Sequence, residues 1–167
     1  YSLPEAQLDR FMFNIYIAYP NQQEEIEITK RFTQAFSPQV SSLISREDIL
    51  NLQMMVRGML ISDNLLQYAV DIARATRPHK ENPYPFVNQW VEWGAGPRAS
   101  LNLTLAAKAR ALLKGRFCVS ADDLRAVAPS VLRHRIKVNF SGEAENIKSM
   151  DLVQRLLNAV PEQKRRA

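Results

Sequence analysis

Apolar residues recur every three or four positions over most of the chain, which is the spacing of one face of an α-helix. Between positions 49 and 59 the intervals are 3, 4 and 3 residues, and similar intervals return in three later stretches. The positions with helical spacing are Ile49, Leu52, Val56, Met59, Leu65, Ala69, Ile72, Ala73, Thr76, Leu101, Leu105, Ala109, Leu112, Leu152, Leu156 and Leu157. This pattern predicts a mainly helical fold.

Capping residues indicate where the predicted helices begin and end. Asn21 stands three residues before Glu24, which is the spacing of a capping box. Pro97 suits the first turn of a helix, and Gly115 suits the position just after a last turn. The predicted helices begin after Asn21, Ser45, Ser62, Gly96 and Ser120 and at Ser149, and the one after Ser120 is interrupted at Pro129.

Residues 12–18 follow a different pattern. Phe13, Ile15 and Ile17 alternate, and the other face of the segment is largely apolar as well. This is typical of a strand covered on both sides, as in an α/β sheet. A lone strand is not stable, so its partners are expected from another part of the parent protein or from another copy. Alone, the strand is expected to pair with a second copy, to be masked by a displaced helix or to be disordered.

Two further segments complete the expected organisation. Residues 78–95 predict a long irregular connection that carries four aromatic side chains, Tyr84, Phe86, Trp90 and Trp93. A loop of this length is usually packed against something, so these rings are predicted to be core anchors. The alternation of Ile136, Val138 and Phe140 predicts a short strand.

The composition predicts a packed core, and the chain carries a net positive charge. The chain is 46% apolar and 23% charged, as in ordinary globular domains. Its net charge of +5 allows an anionic partner, although Lys164, Arg165 and Arg166 contribute to it and are predicted to form a solvated tail. No run of about 18 apolar residues is present, so no membrane span is expected.

The single cysteine, Cys118, excludes an intrachain disulfide and a zinc cluster and favours a reducing compartment, the cytoplasm. Because Phe117 and Val119 flank it, Cys118 is predicted to be a small core residue. His79 and His134 have no ligand-spaced carboxylate or cysteine nearby, so no metal site is predicted.

Three motifs resemble MoxR-type AAA+ ATPases, in the order found in that family. Residues 3–11, Leu-Pro-Glu-Ala-Gln-Leu-Asp-Arg-Phe, resemble the segment before the last strand of the ATPase core. Residues 93–100, Trp-Gly-Ala-Gly-Pro-Arg-Ala-Ser, are similar to the sensor-2 motif, with Gly96 where serine is usual. Residues 128–135, Ala-Pro-Ser-Val-Leu-Arg-His-Arg, resemble a run further downstream.

The resemblance implies a fold class and a division into domains. The fold is a mainly α, C-terminal helical lid bundle of an AAA+ protein, preceded by one strand of the α/β ATPase core. Residues 1–20 would be the end of the core, and residues 21–167 the lid domain with sensor 2.

The resemblance also implies an activity for the parent protein. It would be an ATP hydrolase that uses ATP and Mg²⁺ in a homo-oligomeric, hexameric ring and remodels or activates client proteins, including ones with von Willebrand factor A domains. The chain contains no glycine-rich phosphate loop and no acidic Mg²⁺ site. In the family these lie upstream, so the chain is expected to be a truncated part that is inactive and binds no cofactor alone.

Two arginines in these motifs are candidates for catalysis. By the resemblance, Arg10 is an arginine finger facing the ATP of the adjacent protomer, and Arg98 is the sensor-2 residue. A guanidinium stays protonated and offers a fixed fork of donors to the charge that spreads over the γ-phosphate oxygens. Arg98, Pro97 and Ala95 are predicted to contact nucleotide. Sequence leaves open whether Arg98 acts on its own protomer's nucleotide or on a neighbour's.

Each arginine also has a purely structural interpretation. Arg10 would be a surface residue paired with Asp9 or Glu5, whereas in the catalytic interpretation Asp9 orients it. Arg98 would lie along an acidic neighbour. Residues 133–135, Arg-His-Arg, are predicted to form a solvated turn, with a nucleotide or inter-subunit contact as the alternative.

Two other functions compete with the ATPase interpretation. A basic helical module could bind nucleic acid, but the basic residues are scattered and no RNP, zinc-finger or recognition-helix pattern occurs. The chain could also be a non-catalytic adaptor that binds other proteins. A phosphate loop encoded upstream would favour the ATPase.

Overall fold

The structure, a computed structural model, describes residues 3–34 and 40–162. That part of the chain contains nine helices and two short strands. They are α1 (Glu5–Leu8), α2 (Gln22–Thr33), α3 (Arg46–Gly58), α4 (Asp63–Ala75), α5 (Pro85–Trp90), β1 (Val91–Trp93), α6 (Pro97–Leu113), α7 (Ala121–Leu132), β2 (Lys137–Val138), α8 (Phe140–Ala144) and α9 (Ser149–Ala159). The predicted mainly helical fold is confirmed. The predicted tail at residues 164–166 lies outside the described residues.

The hydrophobic core lies among α4, α6, α7 and α9. Helix α6 packs against α3, α4 and α7, and α9 packs against α4 and α7. The largest fully buried apolar side chains are Tyr68, Ile72, Leu103, Leu124, Leu132, Leu152 and Leu156. Ile72, Leu152 and Leu156 belong to the helical faces that the apolar spacing predicts. In α6 the prediction is wrong, because Leu101 is exposed and the buried face contains Leu103 and Ala107.

The predicted helix boundaries are confirmed where capping chemistry is specific. Asn21 and Ser45 each form a capping box at the start of a helix, and the Ser120 amide donates to Asp123 Oδ2 at 2.9 Å at the start of α7. Pro97 occupies the first turn of α6. Gly115 follows the end of α6 with φ +68°, a left-handed conformation that favours glycine.

The predicted interruption at Pro129 is wrong, because α7 continues through it to Leu132. Proline removes its own N–H and crowds the carbonyl four residues before it, but here it lies in the last turn of the helix. The Pro129 carbonyl still accepts the amide of Arg133 at 3.2 Å. Burial of Ala128 and Val131 then holds this turn against the core.

The connection over residues 78–95 is not irregular throughout, because α5 and β1 lie within it. Pro85 begins α5, where its fixed φ suits a first turn. Val91 of β1 pairs antiparallel with Val138 of β2, which confirms a short strand there, although Phe140 of the predicted alternation begins α8. Trp90 is buried, as expected for a core anchor, but Trp93 is mostly exposed, so that part of the prediction is wrong.

Residues 12–18 do not form the predicted strand. Ile15, Tyr16 and Ile17 are mostly exposed, and the Asn14 amide donates to Ser130 O at 2.9 Å. A strand requires the ladder of a neighbouring strand, and residues 3–34 and 40–162 supply none to this segment. The alternating apolar side chains of this segment are therefore exposed to solvent in the structure.

Helices α2 and α3 and residue Cys118 also lie outside the core. Neither helix buries a residue, although α3 contacts α6.

The prediction that Cys118 is a core residue is wrong, because it is exposed in the turn after α6 and its backbone bridges to Leu60. None of the described helices combines the length and apolar character that a bilayer crossing requires.

Candidate arginine site

Arg10 lies in a tight turn directly after α1. The amide of Arg10 donates to Gln7 O at 3.1 Å, and the amide of Phe11 donates to Leu8 O at 3.1 Å. The Arg10 side chain is exposed and has no hydrogen bond or ion pair to any described residue. The backbone of Arg10 is therefore fixed while its guanidinium is free.

Arg98 lies in the first turn of α6, and the loop before it is fastened to the end of α4. The Ala95 amide donates to Thr76 Oγ1 at 2.8 Å, and Arg77 Nε donates to Ala95 O at 2.8 Å. Gly94 allows this close approach, because a Cβ there would lie 2.3 Å from Thr76 O. These contacts fix where α6, and with it Arg98, begins.

The carboxylate of Asp9 joins Arg98 to a second arginine. Asp9 Oδ2 accepts Arg98 Nη1 at 2.8 Å, and Asp9 Oδ1 accepts Arg135 Nε at 3.0 Å. The side chains of Arg98 and Asp9 are 47% and 30% exposed, whereas that of Arg135 is only 1% exposed. One carboxylate therefore links the turn of Arg10, the start of α6 and the end of α7.

Arg135 is buried, so the predicted solvated turn at residues 133–135 is wrong for this residue. Its Nη2 donates to Asp9 O at 2.8 Å and to Phe11 O at 2.6 Å. Its Nη1 donates to Val131 O and, at 3.4 Å, to Met12 O. Burial lowers the pKa of Arg135 and the hydrogen bond to Asp9 opposes this shift, but a guanidinium remains charged at any working pH.

His134 lies against the same segment. Its Nε2 is 3.1 Å from Phe11 O and 2.8 Å from Arg135 Nη1, and its Nδ1 is buried without a hydrogen-bond partner among the described residues. Burial lowers the pKa of His134, and the Phe11 carbonyl opposes that shift. A neutral ring is therefore favoured beside the cationic Arg135.

A cleft of about 520 Å³ opens next to these contacts. Its lining includes Glu5, Asp9, Trp93, Gly94 and residues 134–137. Glu5 forms an ion pair with Lys137 at 3.2 Å across it. Asp9 and Glu5 are thus both engaged by other residues, and neither pairs with Arg10.

The three residues predicted from sequence to contact nucleotide differ in exposure and in their hydrogen bonds within the chain. Arg98 and Pro97 are exposed at the start of α6. Ala95 is buried, and both of its backbone polar groups are bonded within the chain. The described residues contain no group of three His, Cys, Asp or Glu side chains that could hold a metal ion.

The sequence interpretation missed the role of Arg135. Arg133 and His134 are partly exposed and Arg135 is buried, but a run of Arg-His-Arg taken alone predicts a solvated turn. No local signal marks Arg135, because its guanidinium is buried against backbone carbonyls of residues 9, 11 and 12, which lie more than 120 positions earlier in the chain.

Comparison with known proteins agrees with this architecture. Residues 86–156 match the family of the AAA lid domain. A solved structure of a provisionally assigned ATPase from Cytophaga hutchinsonii superposes with a TM-score of 0.89 at 34% identity, covering 98% of this chain and 50% of that one. The fold is therefore that of an AAA+ protein with its helical lid.

The relatives narrow the class further. The chaperone MoxR1 of Mycobacterium tuberculosis is 38% identical over 98% of this chain and 45% of its own length. The uncharacterised protein YeaC of Bacillus subtilis is 35% identical over 96% of this chain and 48% of its own length. The chain is the C-terminal part of a MoxR-type AAA+ protein, and it spans about half the length of these relatives.

Proposed function

We propose that this chain supplies two arginines to the ATP site of a ring-forming MoxR-type ATPase, Arg10 as the finger and Arg98 as the sensor-2 residue. The observation that carries the proposal is the Asp9 bridge. Asp9 directly precedes Arg10 in sequence and contacts Arg98 at 2.8 Å. Both candidates therefore belong to one surface, although they are far apart along the chain.

Arg10 has the properties that a finger needs. Its guanidinium is exposed and unpaired within the described residues, so no intramolecular partner has to be displaced before it meets a phosphate. Its backbone is held in the turn after α1. A fixed backbone with a free cationic end suits a residue that must reach the same point on a neighbouring protomer in each cycle.

Arg98 has an engaged but displaceable guanidinium. An exposed ion pair such as Arg98–Asp9 contributes about 0–1 kcal/mol, so a triphosphate can compete with Asp9 for it. Because Arg98 shares a surface with Arg10, we assign both to the ATP bound by the adjacent protomer. Release from Asp9 would then report the phosphate to α6 and the lid.

ATP and Mg²⁺ fit the site only in part. Arg10 and Arg98 suit the terminal phosphates, on which negative charge accumulates during transfer. The acidic Mg²⁺ ligands are absent from the described residues as a cluster, so upstream residues of the parent protein would hold the metal. The part played by this chain is to orient and neutralise the transferring phosphoryl group.

At the level of the whole protein, we propose that ATP hydrolysis in the ring drives remodelling or activation of client proteins. The relative from Mycobacterium tuberculosis is named a chaperone, which supports this class of activity. Clients with von Willebrand factor A domains are part of the same proposal.

The test is ATPase activity of the full-length protein with single substitutions. Arg10→Ala should lower kcat by about 10³-fold or more while ATP still binds. Arg98→Ala should lower it by about 10²-fold and should not tighten ATP binding. Arg74→Ala removes an exposed arginine of α4 and serves as the control. Near-normal turnover of Arg10→Ala would remove the finger assignment, and tighter binding by Arg98→Ala would remove the sensor assignment.

A further inference from the structure

The backbone on both sides of Arg10 is held by one buried side chain. Arg135 Nη2 donates to the carbonyl of Asp9 at 2.8 Å and to that of Phe11 at 2.6 Å, and these are the two residues that flank Arg10. The same guanidinium donates to Val131 O in the last turn of α7. It therefore clamps the Arg10 turn onto the lid.

We propose that Arg135 is a positioning residue that sets where Arg10 can reach and ties that position to α7. The inference rests on the proposed role of Arg10 as a finger. Arg135 itself does not contact nucleotide in this proposal, because its side chain is only 1% exposed and its donors are already used within the chain.

The chemistry of the clamp requires arginine. A guanidinium carries five N–H donors in a planar fork, so it can bond two backbone carbonyls and a carboxylate in fixed directions. A lysine ammonium is a single point with three donors and cannot span Asp9 O and Phe11 O in the same way. Asp9 also offsets the cost of burying the charge.

A second contact supports the same coupling. The Asn14 amide donates to Ser130 O at 2.9 Å, so the segment after Arg10 is fastened to α7 at another point. The 9–14 segment and the last turn of α7 therefore move together. A change in lid orientation would carry Arg10 with it, towards or away from the neighbouring active site.

The expected effect of loosening the clamp is a loss of turnover without a loss of binding. A misplacement of about 1 Å in a catalytic group can cost about 10²-fold in rate. In the full-length protein, Arg135→Met should therefore lower kcat by about 10²-fold, with little change in KM for ATP. Arg135→Lys should give a smaller loss of kcat, again at unchanged KM.

Arg116→Met is the matched control. Arg116 also pairs with a buried carboxylate, that of Asp123, but it does not contact residues 9–14. This variant should lose thermal stability and keep its turnover at temperatures where it is folded. Hydrogen exchange should become faster at amides 10–14 in Arg135→Met and should not change there in Arg116→Met.

A mixing experiment separates positioning from general damage. Arg135→Met protomers are combined with protomers whose upstream phosphate loop is inactivated but whose Arg10 and Arg135 are intact. If the defect lies only in the finger, intact fingers from the second type restore hydrolysis at the ATP sites of the first. We expect a gain of at least about tenfold over either protein alone, out of the roughly 10²-fold loss. Arg10→Ala protomers in the same mixture are the positive control.

The possible outcomes have different meanings. Normal kcat for Arg135→Met or for Arg135→Lys would overturn the positioning role. The role also fails if Arg135→Met gains nothing on mixing while Arg10→Ala does, because the damage would then be structural. If Arg10→Ala itself hydrolyses ATP normally, the proposed finger role of Arg10 is wrong. That result differs from a failure of the positioning role of Arg135, in which Arg10→Ala is still inactive alone.

Discussion

Asp123 and Asp9 each form ion pairs with two arginines, but the two carboxylates differ in burial. Asp123 has a fully buried side chain and bonds Arg110 and Arg116, whose side chains are 35% and 38% exposed. At Asp9 the carboxylate is partly exposed, and one of its two arginines, Arg135, is the buried partner.

The two clusters also differ in how far apart their members are along the chain. Arg110, Arg116 and Asp123 all lie within the end of α6, the following turn and the start of α7. The Asp9 cluster joins residues from α1's turn, α6 and the segment after α7. The first cluster closes a local connection between two core helices, whereas the second joins segments that are distant along the chain through one partly exposed carboxylate. We therefore expect the first to govern stability and the second to govern activity.

The largest expected effect on stability is at Asp123. Asp123→Ala removes the shared acceptor of two arginines and of the Ser120 amide, which donates to it at 2.9 Å. Breaking a buried ion pair costs about 3–5 kcal/mol, and we expect the lower end because both arginines can reach water. Urea unfolding measures the change. Asp122→Ala, which alters the exposed neighbour in the same first turn, is the control and should change the free energy of unfolding much less. Equal losses for both would contradict a special role for Asp123.

The next effect is the pH dependence that Asp123 confers. Burial alone would raise its pKa, but hydrogen bonds from Arg116, the Ser120 amide and Arg110 outweigh this and hold the pKa well below its usual range. A carboxyl whose pKa is lower when folded contributes stability above its unfolded pKa of about 3.9, and loses that contribution as pH falls towards the folded value.

The free energy of unfolding of the wild-type chain and of Asp123→Asn should therefore differ most above about pH 5. The difference should narrow steadily as pH falls from about 4 to 2. Urea unfolding across this range measures it. A gap that stays constant down to pH 2 would show that charge on Asp123 is not the source of the stability.

Much of the lid fold could be predicted from local sequence. Asn21, Ser45 and Ser120 carry capping chemistry that involves neighbours only three residues away, and all three boundaries are confirmed. The predictions that failed at residues 12–18, Trp93 and Cys118 concern burial or pairing with distant parts of the chain. The apolar alternation of residues 12–18 predicts a strand, but a ladder needs a second strand, and residues 3–34 and 40–162 supply none to this segment.

The candidate site shows the same division. The motifs placed Arg10 and Arg98 in their segments. The contacts of Asp9 are long-range, because Arg98 lies 89 positions after Asp9 in the sequence and Arg135 lies 126 positions after it. No local rule assigns Asp9 to Arg98 and Arg135 in place of the adjacent Arg10. For the same reason the burial of Arg135 could not be read from the sequence Arg-His-Arg.

The smallest expected effect is the coupling between Asp9 and Arg98, and it provides the sharpest test of the contrast between the two clusters. Urea unfolding of wild type, Asp9→Asn, Arg98→Gln and the double variant gives their coupling energy. We expect about 0.5 kcal/mol, because the pair is partly exposed, and a further decrease in about 0.5 M salt. A coupling of several kcal/mol that salt does not weaken would make Arg98 a structural partner of Asp9, since a phosphate could not then displace it. A weak, screened coupling leaves Arg98 free to exchange Asp9 for a phosphate, as a sensor requires.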